Sequence, residues 1–423
     1  MFCKVGKSVI SGTVCAPPSK SHTMRAILFA SMANGTSEIY NYLKSPDTNA
    51  MINSCKEFGA QITTYDSYLK ITGVSGKPKQ PEDIINVGNS GQVLRFVAAI
   101  LSLIDQPSVL TGDCSIRFNR PMQQLLNGLN SLSGKCYSLR NNGHAPVLIQ
   151  GPIKPGNAKV SGEDSQPISA LLIATAFLPG NSHIRVENPG EKPWLALTLD
   201  WFDKLGIKYI NHNFEHFTVL GYSKIKSFDY KVPGDFSSIA YPLVAAIITN
   251  SELKINNIDL SDVQGDKSLV DVLITMGANI KVADDYLYVA KNHNLQGMEI
   301  DVNQIIDAVP ILAVIACFAK GSTKLYNAEI ARFKESDRLN SITNELTKMG
   351  ALISENATSL LIHESKLSGA VMTSYKDHRV ALSLIVAALA ASSDSTINDI
   401  SCIKKSYPDF IKSMQTIGAN IYL

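Results

Sequence analysis

Cationic side chains in this 423-residue chain gather in short stretches, each beside hydroxyl, amide or carboxylate groups. PPSKSHTMR places Lys20, Ser21 and Arg25 within about one and a half helical turns. GNSGQVLR sets Asn89 and Gly91 before Arg95, and DCSIRFNRPM carries Arg117 and Arg120. Further on, RFKESDR holds Arg332, Lys334, Glu335, Asp337 and Arg338, KDHR holds Asp377, His378 and Arg379, and KKSYPDF holds Lys404 and Lys405. Such sets suit small polyanions, because converging cations and N–H donors can strip phosphate and carboxylate groups of water. Any one of these clusters alone is more often a solvated charged face; their shared place in the repeat period of the chain argues for a site. No Walker A loop, GxGxxG, HExxH or GxSxG is present, so nucleoside triphosphate, Rossmann, zinc-protease and serine-hydrolase chemistry lack support.

The elements that must position these residues recur along the chain. An amphipathic segment ending in glycine returns six times, at Gly59, Gly134, Gly206, Gly277, Gly350 and Gly418, with spacings of 68 to 75 residues. Each glycine is expected to close a helix in the left-handed conformation. A second element, a polar start followed by a strongly apolar helix, also returns six times. Its copies begin near Lys20, Asn89, Ser165, Asp235, Asp307 and Asp377, at spacings of 69 to 76 residues. Helices apolar nearly all round belong inside, and strand-like stretches such as EHFTVLGY and DYLYVA lie between them. Six units of about 70 residues predict an α+β fold built from small modules rather than a solenoid. The polar residues at the starts of the buried helices read as N-caps. Lys20, Arg25, Arg95, His378 and Arg379 in the first turns do not, since cations there oppose the helix dipole; they point to an anionic ligand.

Composition narrows the function. Net charge is +2, which supplies no broad basic face for nucleic acid or an acidic membrane. The longest apolar runs, such as 308–319, fall short of the ~20 residues that span a bilayer. Met1 to Lys20 contains no continuous apolar stretch, so no signal peptide is expected. Seven scattered cysteines without a CxxC argue against a disulfide framework or a zinc site and favour a reducing, cytoplasmic setting.

The ordered stretches resemble a known set. PPSKSHTMRAILFAS is similar to the first signature of the EPSP synthases, a family of enolpyruvyl transferases, and GNSGQVLRF to the second. RFKESDRL and DHR resemble later signatures and SYPDF the C-terminal one, so that the resemblance spans essentially the whole chain. It implies two domains of three βαβαββ repeats each, an inverse β-prism with buried helices whose N-termini face the interdomain cleft. Residues 1–18 with 234–423 would form one domain, and 19–233 the other. It further implies transfer of the enolpyruvyl group of phosphoenolpyruvate to the 5-hydroxyl of shikimate 3-phosphate, by a monomer without metal or organic cofactor, and without nucleic-acid or membrane partners. By motif position, Lys20 would touch both substrates and stabilise the leaving phosphate. Ser21 and Arg25 would hold the shikimate carboxylate, and Ser165, Gln166, Asp307 and Lys334 would complete the acceptor site. Asn89, Gly91, Arg120, Gln166, Lys334, Arg338, His378, Arg379 and Lys405 would surround phosphoenolpyruvate. Asp307 would take the hydroxyl proton, its ionised form favoured by a helix N-terminus, and Glu335 would protonate the methylene carbon.

Departures from the pattern cluster near the expected acceptor phosphate. The usual Ser-Ser-Gln reads Asp164-Ser165-Gln166, and Ser-Lys-Pro-Tyr reads Glu191-Lys192-Pro193-Trp194. Ile330 replaces a usual Asn, and Gln92 follows Gly91 in place of a small Thr. Two added carboxylates would repel a phosphate unless they turn to a cation. The sister family that uses UDP-N-acetylglucosamine as acceptor is the nearest alternative, with Cys114 in the region of its loop acid. A phosphate-end nucleic-acid binder of the same repeat is the alternative from another class.

Overall fold

A computed structural model describes residues 1–423. The chain divides into two compact units: a first comprising Met1–Pro17 with Pro233–Leu423, and a second comprising Pro18–Val232. Each has its own apolar core. The chain leaves and re-enters at prolines, Pro17-Pro18 and Pro233, whose fixed φ stiffens the crossings.

Six long apolar helices lie at the centre of these cores. In the second unit they are α1 (Lys20–Met32), α2 (Gly91–Leu101) and α3 (Ser165–Thr175); in the first, α4 (Phe236–Ile248), α5 (Val309–Ala316) and α6 (His378–Ala390). Every residue of α5 is buried, as is every residue of α6 up to Leu389. Each Leu, Ile or Val so placed contributes about 1.5–3 kcal/mol. The expected caps form at four starts. Ser19, Ser90, Asp164 and Asp377 accept from backbone N–H groups of α1, α2, α3 and α6. Asp235 stands before α4, but its carboxylate takes the Ser238 hydroxyl at 2.5 Å, and Gln264 Oε1 accepts from the Phe236 N–H instead. Asp307 lies in a 3-10 turn, Asn303–Ala308, two residues ahead of α5, and is not its cap.

Six four-stranded sheets surround the helices in one pattern. Two strands flanking a buried helix run parallel, as Asn157–Ser161 and Ser182–Glu187 do around α3. A second helix follows, and then an antiparallel hairpin, here Tyr209–His212 with His216–Val219. This is the α+β architecture of small modules that the repeats predict, in the βαβαββ order that the resemblance implies. One exchange departs from a simple tandem. Ser11–Cys15, just ahead of α1, pairs with Glu252–Asn256 beyond α4, whereas Asp229–Lys231, just ahead of α4, pairs with Thr36–Tyr40 beyond α1. Phe2–Val5 also joins the first unit, between Ser395–Asn398 and Ile421–Tyr422.

Five of the six recurring glycines adopt the left-handed conformation expected of them. Gly134 does not. Its helix ends at Ser131, so Ser133 takes the left-handed position (φ 72°) and Gly134 instead lets the chain pass close to the Leu129 carbonyl. Close approach also fixes Gly221, where an added Cβ would lie 2.1 Å from the Leu178 carbonyl oxygen. That neighbour is backbone in the bend after α3, and it can yield only if that bend or the end of the strand His216–Val219 moves. Gly221→Ala should therefore destabilise the second unit by about 1–3 kcal/mol, read as a lower urea midpoint. An unchanged midpoint would show that the strand end is free to shift.

Candidate active site

In the first unit one guanidinium organises the polar residues. Arg338, the first residue of the helix Arg338–Lys348, is 1% exposed. Its Nε donates to Asp377 Oδ2 at 2.8 Å, Nη1 to Asp307 Oδ1 at 2.6 Å and Nη2 to Glu335 Oε2 at 2.8 Å. The carboxylates have further partners. Lys405 Nζ donates to Glu335 Oε1 at 2.6 Å, Arg379 Nη2 to Asp307 Oδ2 at 3.2 Å, and the Ser336 hydroxyl to Asp377 Oδ2 at 3.1 Å. His378 Nδ1 lies 4.0 Å from Glu335 Oε1. Lys334 is buried where its charge acts on Asp307. Lys334, Arg338, Arg379 and Lys405 thus face Asp307, Glu335 and Asp377, four cations against three carboxylates, an excess that favours an incoming anion.

Burial alone would raise the Asp307 pKa. The charges of Arg379, Arg338 and Lys334 outweigh it and hold the carboxyl well below the usual range. The ionised form expected of Asp307 is therefore set by these cations and not by the start of α5. Arg379 also donates to the Ser237 carbonyl at 3.2 Å, and the Ser237 hydroxyl donates to Asp266, a buried carboxyl at the turn Gly265–Lys267. Burial, and then the Asp307 charge, push Asp266 up to about 7 against the pull of Arg379.

The second unit gathers the other expected residues at the starts of α1, α2 and α3. Lys20 opens α1, with Nζ 3.8 Å from Asp47 Oδ2. Ser21 follows it, and its carbonyl accepts from Arg25 Nη1 at 3.3 Å. Arg25 is buried, and its other donors reach the Thr198 hydroxyl at 2.8 and 3.1 Å and the Trp194 carbonyl at 3.3 Å. All of these oxygens are neutral, and burial lowers the Arg25 pKa to about 9. Its buried charge is uncompensated by any carboxylate, which makes an anion welcome there. Gly91, Arg95, Arg120 and Gln166 converge: a Cβ on Gly91 would lie 3.0 Å from Arg95 Nη1, 3.6 Å from Gln166 Oε1 and 3.7 Å from Arg120 Nε. Asn89 donates to Asp113 Oδ2 at 2.5 Å.

The two added carboxylates behave differently. Asp164 turns to a cation, Arg95, at 3.1 Å while capping α3. Glu191 Oε2 accepts from the Ser165 N–H at 3.0 Å and from its hydroxyl at 2.8 Å. Cys114 is exposed, with Sγ 3.6 Å from Arg117 Nη2.

Ligand atoms of Glu335, Asp377 and His378 lie within 4.8 Å of one another, near enough to share a metal ion. Arg338, Lys405, Ser336 and the Arg379 N–H already saturate those carboxylates, so a cation would have to displace an ammonium or guanidinium. The chemistry of the set fits an anion better. No helix is long and apolar enough to cross a membrane.

A model of the family described as EPSP synthase (3-phosphoshikimate 1-carboxyvinyltransferase) matches residues 5–414. The chain belongs to the EPSP synthase family. A 3-phosphoshikimate 1-carboxyvinyltransferase of Acetivibrio thermocellus is 42% identical, covering 100% of this chain and 99% of its own. That of Methanocella arvoryzae is 40% identical over all of both chains. Among solved structures, an EPSP synthase from Acinetobacter baumannii superposes with a TM-score of 0.82 at 24% identity, covering 99% of both chains. The enolpyruvyl transferase NikO from Streptomyces tendae gives 0.81 at 17% identity, covering 99% of this chain and 98% of its own. These two likenesses concern the fold.

Several residues around the EPSP synthase motifs escape a reading of sequence alone. Asp377 is visible as a cap, but its bond to Arg338 is long-range. Asp47, Ser237, Asp266 and Thr198 sit in unremarkable stretches, and only folding brings them to Lys20, Arg379 and Arg25. Asp266 yields a test. Its folded pKa of about 7 lies above the unfolded value, so the unfolded chain releases the proton first as pH rises. Stability is then lost progressively between about pH 4 and pH 7. Asp266→Asn removes this dependence. Its urea stability relative to the parent should rise between pH 4.5 and 7.5, by on the order of a few kcal/mol. A difference that stays flat with pH would mean that Asp266 is ionised throughout.

Proposed function

We propose that this chain transfers the enolpyruvyl group of phosphoenolpyruvate to the 5-hydroxyl of shikimate 3-phosphate, releasing phosphate, as a cytoplasmic step of aromatic amino acid biosynthesis. The observation that carries the reading is Arg338 bonded at once to Asp307 and Glu335, two carboxylates placed among Lys334, Arg379 and Lys405. Addition and elimination through a tetrahedral intermediate need a base for the hydroxyl, an acid for the methylene carbon and cations for the phosphate. Asp307, held ionised, supplies the base. Lys334, Arg338, His378, Arg379 and Lys405 bind phosphoenolpyruvate, and Asn89, Gly91, Arg120 and Gln166 add to its site. Lys20 serves the leaving phosphate, while Ser21, Arg25, Ser165 and Gln166 take the acceptor.

Glu335 is the acid in this reading. In the structure Lys405 and Arg338 take both of its oxygens. A bound phosphate and carboxylate compete for those cations, leaving Glu335 able to carry the proton it delivers to carbon. Phosphate release assayed with phosphoenolpyruvate and shikimate 3-phosphate, and then with UDP-N-acetylglucosamine, tests the acceptor; turnover only with the latter would refute the assignment. For the acid, Glu335→Gln should bind both substrates yet slow exchange of solvent deuterium into the phosphoenolpyruvate methylene group by roughly a hundredfold or more. Exchange at the parent rate would move the role to Lys20 or Asp307.

A further inference from the structure

The start of α3 is already occupied by an anion of the chain itself. Glu191 is 2% exposed, and one of its oxygens accepts both the N–H and the hydroxyl of Ser165. Those are the groups with which a helix N-terminus receives a phosphate or carboxylate. The backbone of Glu191 is left-handed (φ 45°, ψ 34°), a conformation that a non-glycine residue keeps only where its surroundings hold it. The helix that follows, Lys192–Leu205, carries Trp194 and Thr198, which hold Arg25. One element therefore joins two places for negative charge: a buried guanidinium bonded only to neutral oxygens, and a helix start filled by a carboxylate.

We propose that Glu191 is a specificity-determining residue, an internal carboxylate that the phosphate of the acceptor must displace from the start of α3. This rests on the functional reading above, in which Ser165 and Arg25 belong to a doubly anionic acceptor. Arg25 can meet one anionic group without competition; the second meets Glu191, with Asp164 close by on the same turn. Like charges at such range oppose each other by several-fold to many-fold in affinity. The chain therefore binds the phosphorylated acceptor more weakly than its cations alone would allow, and discriminates less between acceptors with and without the phosphate.

The test uses the full chain and its Glu191→Gln and Glu191→Ser variants. Calorimetric titration with shikimate 3-phosphate should give a dissociation constant about tenfold lower in Glu191→Ser, and a smaller decrease in Glu191→Gln. Shikimate, which lacks the phosphate, should gain less than about twofold. Inorganic phosphate, titrated against the same three proteins, reads the seat independently of turnover and should follow the same order. Should Glu191→Ser fail to fold, Glu191→Gln keeps the shape while removing the charge. Variants that bind both phosphate-bearing ligands no more tightly than the parent would overturn the inference and leave Glu191 as a fixed brace of α3. Failure of the parent to turn over phosphoenolpyruvate with shikimate 3-phosphate is a separate result, and it counts against the functional reading.

Discussion

A single buried guanidinium, that of Arg338, faces three carboxylates, and the polar arrangement of the first unit follows from it. Charge buried without a partner is costly, and removing one member of a buried ion pair costs roughly 3–5 kcal/mol. Arg338 therefore needs Asp377, Asp307 and Glu335, and they need it. Their combined charge would be two too negative for Arg338 alone. Arg379, Lys405 and Lys334 supply the remaining positive charge. An enzyme for anionic substrates gains from this state, because its carboxylates stay ionised and its cations stay together before any ligand arrives.

The repeat fold is what makes such a cluster affordable. Asp307 and Arg338 come from one module, and Asp377 and Lys405 from the next. The buried helices α4, α5 and α6 pack against one another, so their polar starts meet at one end while their apolar lengths fill the core. In the second unit α2 and α3 pack on each other and bring Gly91 beside Gln166. Module by module, hydrophobic burial stabilises the frame, and the frame holds charges that would otherwise repel.

Much of this was legible from residues alone. The periods of the apolar helices and the glycine ends disclose the six modules, because each unit solves the same packing problem with the same pattern. Cations in first turns stand out from the caps, since capping preference cannot explain them. Other features required coordinates. Gly134 resembles its counterparts in sequence, but a helix that ends earlier relative to the glycine hands the left-handed position to Ser133. Asp307 looks like a helix cap, yet it sits in a 3-10 turn and owes its ionisation to Arg379, Arg338 and Lys334, at least 27 residues further along the chain. Glu191 looks like an unwelcome charge, and nothing local reveals that it folds back onto Ser165. In each case the deciding contact is long-range or depends on a turn's detail, which local pattern does not encode.

The central claim is that Arg338 and its carboxylates stabilise the first unit as one coupled group. A double-mutant cycle on unfolding stability, with Arg338→Gln, Asp377→Asn and both together, tests it most directly. Each single change should cost several kcal/mol, and the double variant should cost clearly less than their sum, by about 2 kcal/mol or more. Additive losses would contradict the account, because they would mean that Arg338 and Asp377 are stabilised by their surroundings independently of each other.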